Sequence, residues 1–152
     1  MTKIKNKVSL RMKPFQPMKA ISLAYALWNV GRAAFNQHCL DTERQKAQIL
    51  NHERYLNHTI TYERYVYMRK KIEDEYAIDQ YETEKTLVSA YGKVIEALKQ
   101  GGKDFSGYMQ MKMQCVNNCK KWRSLLKRRK LLDENGEVIC TSRNQTAMQL
   151  TT

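Results

Sequence analysis

Four cysteines and three histidines are the side chains best suited to nucleophilic or metal chemistry. Cys115 and Cys119 stand four residues apart, so both thiols fall on one side of a helix. A closed zinc site needs four ligands, usually from two knuckles or from a knuckle and a helix. The remaining candidates, Cys39, Cys140, His38, His52 and His58, are scattered, and nothing resembles CxxC…CxxC. The expectation is buried, reduced thiols on an apolar helix face, with no metal and no cofactor. His38 and Cys39 are adjacent, and neighbours on a helix point about 100° apart, which is poor geometry for a nucleophile and its base. There is no Gly-rich phosphate loop, no HExxH and no GxSxG. The acids lie mainly between positions 41 and 96, close to bases at helical spacing. Glu73, Asp74 and Glu75 follow Arg69, Lys70 and Lys71, and read as solvated i,i+4 pairs. These residues do not predict an enzyme.

The most informative chemistry is basic. Lys120, Lys121, Arg123, Lys127, Arg128, Arg129 and Lys130 fall within eleven residues, and no acid occurs from Phe105 to Leu132. On a helix this run places Trp122, Leu125 and Leu126 near one face and most of the bases elsewhere. A solvated helix end favoured by the helix dipole is one reading. The other is an anion-binding surface for nucleic-acid phosphate, an acidic protein or anionic lipid. No helix-turn-helix spacing or base-reading motif accompanies it. Seven of the nine tyrosines lie between Tyr55 and Tyr91, where packing or an interface is favoured over base stacking.

The elements that must carry these residues are helical. Two prolines and six glycines in 152 residues leave few breaks, and with 28% charged residues this favours long helices over a sandwich, a barrel or a doubly wound enzyme. The pattern predicts an all-α chain of long helices in an αα-hairpin or coiled-coil-like bundle. A first helix is expected over 18–39, and a second from Asp41 or Thr42 to about Gln100 with a break near His58-Thr59. Gly101-Gly102 should end it. A third helix, capped by Asp104 or Ser106, should run to about Lys130 and pack antiparallel on 77–99. Asp133-Glu-Asn-Gly136 predicts a turn that makes a short hairpin or hook between Leu131-Leu132 and Val138-Ile139. The divisions expected are a basic N-terminal arm (1–17), extended or mobile on its own, a helical domain (18–132), and a turn with a polar tail (133–152).

Within the second helix Ala77, Tyr81, Glu84, Val88, Tyr91, Ile95 and Leu98 alternate spacings of four and three. Glu84 is the one polar interruption. The apolar members, Ala77, Tyr81, Val88, Tyr91, Ile95 and Leu98, are expected to form an interface between copies, because the stripe is long for one chain to cover.

Charge is unevenly spread. Residues 1–40 carry seven bases and no acid, residues 41–100 ten bases and eleven acids, and residues 101–152 ten bases and four acids. Two basic flanks around a balanced middle, within a net charge of +12, suggest a polyanionic partner. The opening residues lack the apolar core of a secretory signal, which predicts a cytoplasmic or virion-associated protein. The apolar stretch from Ala20 to Val30 is shorter than the roughly twenty residues of a bilayer span. It reads as a buried helix or an oligomer contact, with a membrane-surface segment at 18–36 as the alternative.

No family motif is recognised. In architecture, residues 40–130, a small basic segment with a helical hairpin around Gly101-Gly102, resemble the small terminase subunits of tailed phages. That resemblance implies oligomerisation and DNA binding for packaging, although a separate N-terminal DNA-binding domain is not evident. Residues 18–100, an apolar segment followed by a long polar helix, are similar to internal ejection proteins of short-tailed phages. The expected function is a non-enzymatic assembly protein that oligomerises and contacts nucleic acid or another polyanion. The alternative is a structural or ejection-type virion protein whose apolar segment meets membrane or a larger assembly.

Overall fold

The computed structural model describes residues 9–139, with side chains from residue 22 onward. Its described residues form three helices: α1 (Ser9–Leu56), α2 (Tyr62–Gln100) and α3 (Ser106–Arg128). At 1.5 Å per residue α1 is about 70 Å long and α2 about 60 Å. Both α1 and α3 pack along α2. The expected αα-hairpin of α2 and α3 is therefore present, with α1 added on another side of α2.

The break expected at Asp41 is absent, and α1 runs straight through it. The residues that looked like a cap serve side-chain pairs instead. The Asp41 carboxylate accepts from Arg44 Nη2 at 2.7 Å and from Gln45 Nε2 at 3.2 Å. No proline or glycine follows to stop the helix. The backbone of residues 9–17, expected to be extended or mobile, is helical. Pro14 and Pro17, the sixth and ninth residues of the helix, each withhold a backbone donor from the helical ladder there. Residues 1–8 of that arm, and the tail from Cys140 onward, lie outside the described residues.

All three helices end in the same way. His58, Gly102 and Lys130 have φ of 59°, 67° and 60°. The next residue donates back across the last turn in each case: Thr59 to Arg54 O, Lys103 to Leu98 O and Leu131 to Leu126 O, each at 2.9 Å. This is the Schellman arrangement, which satisfies carbonyls the helix leaves without partners. Of the glycine pair only Gly102 adopts the left-handed conformation. Thr61 then caps α2, its hydroxyl accepting from Arg64 N at 3.1 Å. At the start of α3 the cap position falls on Phe105 rather than on Asp104 or Ser106, and Asp104 just before it accepts from Ser106 N at 3.0 Å and from Ser106 Oγ at 3.2 Å.

The core lies along α2. Ala26 packs with Val94 and Leu98, Ala33 with Leu87, Tyr91 and Cys115, and Leu126 with Ala77, Ile78 and Tyr81. This corrects the reading of the 4-3 stripe as a contact between copies. Ala77, Tyr81, Tyr91, Ile95 and Leu98 are all at most 7% exposed within one chain, so they have little surface left for a second. Val88 is half-buried against the same core. One chain covers the stripe because α1 and α3 flank α2 together.

Beyond Lys130 the chain turns back. Leu132 and Val138 form an antiparallel bridge, and Leu131, Leu132 and Val138 pack on the Leu126 cluster. Asp133 shapes the turn by accepting from Asn135 N at 2.8 Å and Glu137 N at 2.9 Å. The expected hook is thus present as a bridge rather than a pair of strands.

Candidate functional site

The seven bases singled out in the sequence do not form one surface. Lys120 and Lys127 make one exposed row, and Lys121 and Arg128 a second, on either side of Ser124. Residues seven apart on a helix are about 10.5 Å apart along its axis and nearly in line. The helix itself contains no acid. Arg129 is drawn away: its Nη1 lies 3.3 Å from Asp74 Oδ1 and 3.5 Å from the Glu73 carbonyl on α2. Arg123 lies beneath the hook, where a Cβ on Gly136 would sit 2.8 Å from its Nη2. Lys130 occupies the left-handed turn after α3. The four bases that share the outer side of α3 are therefore Lys120, Lys121, Lys127 and Arg128.

Glu73 and Asp74 also differ from the expected i,i+4 pairing. Glu73 reaches across to α1, where Arg44 Nη1 stands at 3.3 Å and Gln48 Nε2 donates at 2.9 Å. Asp74, with its side chain 13% exposed, binds Arg129 beyond the end of α3. These carboxylates join helices, and their net effect is to cancel bases on the inner surfaces while the outer bases stay exposed.

A buried polar layer crosses all three helices at the height of Glu84, which is 3% exposed. Gln37 on α1 donates from Nε2 to Glu84 Oε1 and to Gln80 Oε1, the latter at 3.1 Å. Asn118 on α3 donates to Glu84 Oε1 at 3.4 Å. Glu84 Oε2 is buried without a hydrogen-bond partner. Burial pushes the Cys115 thiol up to about 11, and the charge of Glu84 adds to the shift. Cys119 is raised by the same two causes, against the opposing effect of Lys85. Both thiols are free and stay protonated at neutral pH, so neither is a ready nucleophile. Among the described residues no group of three or more His, Cys, Asp or Glu is arranged to hold a metal ion. The layer ties the three helices together at one height, where Gln37 from α1 and Asn118 from α3 both meet Glu84 of α2.

The tyrosines pack. Tyr55 stacks on Tyr65 with ring centres 4.8 Å apart, beside Tyr62 and His52, at the turn that joins α1 to α2. Tyr76 meets Trp122 edge-on at 5.9 Å and carries the Arg44 guanidinium over its ring at 4.4 Å.

The apolar stretch near the start of α1 is split between two faces. Ala26 and Ala33 are buried, with Leu23 and Val30 packed beside them. Tyr25, Trp28 and Phe35 point the other way and are 66%, 67% and 66% exposed. Sequence reasoning noted the stretch but missed the second face. The available signal was the spacing of Tyr25, Trp28, Arg32 and Phe35, which is three, four and three. No described helix is long and apolar enough to cross a membrane. The sequence matches no protein-family model, and no curated protein or solved structure matches it either.

Proposed function

We propose that the protein is a non-enzymatic helical assembly protein that holds nucleic acid by its phosphates along the outer side of α3. The observation that carries this reading is the double row of Lys120 with Lys127 and Lys121 with Arg128, exposed on a helix without acids. Basic side chains in line along a rigid rod suit a regular polyanion better than a single small anion. The architectural likeness to small terminase subunits favours DNA as that polyanion. Base readout is not part of the proposal, because phosphate contacts position a protein without reading sequence. The assembly half of the proposal rests on α1, whose outward aromatics Tyr25, Trp28 and Phe35 are the most exposed rings among the described residues. Those same rings favour a second reading, a structural component anchored through α1 to a larger assembly or a membrane surface.

The test is fluorescence anisotropy on labelled duplex DNA and RNA, with Lys120, Lys121, Lys127 and Arg128 changed together to glutamine. Four phosphate contacts give a loss of about two decades in affinity between 50 and 200 mM salt. The variant should fold like the parent and bind every duplex weakly. Binding as tight as the parent's would refute the reading.

A further inference from the structure

We infer that the outer face of α1 is a two-fold interface at which a second copy of this chain docks antiparallel, with Trp28 stacking on the partner's Arg32. This deepens the assembly half of the function proposed above and does not depend on nucleic-acid binding.

The first argument is the order of residues along the face. Tyr25, Trp28, Arg32 and Phe35 lie on one side of α1, opposite the buried Ala26 and Ala33. Their spacing reads the same in both directions about residue 30. A two-fold interface requires that residue i meet j while j meets i. An antiparallel pair centred at residue 30 satisfies this twice. Tyr25 meets the partner's Phe35, and Trp28 meets the partner's Arg32. The first is an aromatic pair and the second a cation–π pair. A parallel pair would instead set Arg32 against the partner's Arg32.

Charge supports the same occupant. Arg32 is the only Lys, Arg, Asp or Glu between Ala20 and Leu40, in a chain that is 28% charged and carries +12. Two copies can approach here without the repulsion they would meet along α3.

Gly31 is an independent observation. It lies inside a long helix, where glycine is among the poorest residues. A Cβ added there would meet nothing within 4 Å, so nothing among the described residues explains the glycine. At the proposed axis it lets two helix backbones approach closely.

The area is sufficient. An aromatic side chain carries roughly 200 Å², so three that are two-thirds exposed offer about 400 Å² per chain and about 800 Å² for the pair. Arg32 and the flanking residues raise this past about 1,000 Å², the lower range of specific interfaces.

The test uses the full chain, freed of nucleic acid by nuclease, with mass measured by light scattering at tens of micromolar. The parent should be a dimer. Trp28→Glu and Gly31→Ala should each give a monomer with the parent's helical circular dichroism, because both positions are exposed in the single chain. Tyr25→Cys chains and Phe35→Cys chains, mixed under mild oxidation, should form a disulfide-linked dimer that neither forms alone beyond the parent's background. A monomeric parent would overturn the inference, as would a dimer that survives Trp28→Glu, or efficient linking of either cysteine variant with itself. A monomeric parent whose Trp28-dependent emission shifts to the blue with phosphatidylcholine vesicles would assign the face to lipid instead. None of these readouts uses nucleic acid, so failure here and failure of phosphate binding are separately visible.

Discussion

His58→Gly and Lys130→Gly should each stabilise the protein, and Gly102→Ala should destabilise it. All three positions hold the left-handed residue that ends a helix, with φ between 59° and 67°. An L-residue there costs about 1–2 kcal/mol relative to its right-handed conformation. Glycine removes that cost but gives up about 0.5–1 kcal/mol through greater freedom in the unfolded chain. The net gain expected is about 0.5–1 kcal/mol at each of His58 and Lys130 by the same balance. Both side chains are exposed, so little packing is lost. The two sites close different helices and share no partner, so the gains should add to about 1–2 kcal/mol. For a chain of this size that raises Tm by roughly 2–8 °C. A Cβ at Gly102 would meet nothing within 4 Å, so its cost is conformational only, about 1 kcal/mol. Urea unfolding followed by circular dichroism at 222 nm measures all four proteins. Loss of stability in the two glycine variants, or an unchanged Gly102→Ala, would refute the cap geometry.

Four further outcomes follow from contacts within the chain. Glu84→Ala should cost about 2–4 kcal/mol in the same urea assay, because it opens a cavity, takes the acceptor from half-buried Asn118 and leaves Gln37 with Gln80 alone. Cys115 should react with a thiol reagent at pH 8 far more slowly than half-exposed Cys39, and should catch up after unfolding. Its folded value is raised above the ordinary 9.0 to about 11, so the folded state holds this proton more tightly. Stability from this group is intact below pH 9 and falls as pH rises through 9 toward about 11, and Cys115→Ala should remove that part of the alkaline loss in urea midpoints. Asp74→Asn should cost about 1 kcal/mol by weakening the partly buried bond to Arg129, as read by thermal unfolding.

The helical class, the stop at Gly101-Gly102, the α2–α3 hairpin and the hook were legible because each rests on a local signal. Glycine and a dense turn sequence act over a few residues, and the stripe along α2 is apolar for most of its length. The role of α1 was not legible. Its inner face meets α2 through Gln37, Arg44, Gln48 and Asn51 as much as through Ala26 and Ala33, so apolar periodicity is hidden there. Without that face the stripe on α2 seemed to need a second copy. Asp41 misled for a related reason, since a carboxylate that would cap a helix can equally bind a base one turn further on. The composition of the α3 patch was legible, but its membership was not. Nothing local distinguishes Arg129 from Arg128, and only the position of Asp74 on a neighbouring helix decides which of these two exposed bases is paired.

That distinction gives the most direct test of phosphate binding along α3. The slope of log affinity against log salt for duplex DNA should be compared between the parent, Lys127→Gln and Arg129→Gln. Lys127 stands on the exposed row, so its loss should lower the slope by about 0.9 and weaken binding equally on all sequences. Arg129 is held by Asp74, so its loss should leave the slope unchanged while costing some stability. A parent that binds without salt dependence, or a slope that falls as much for Arg129→Gln as for Lys127→Gln, would contradict the account.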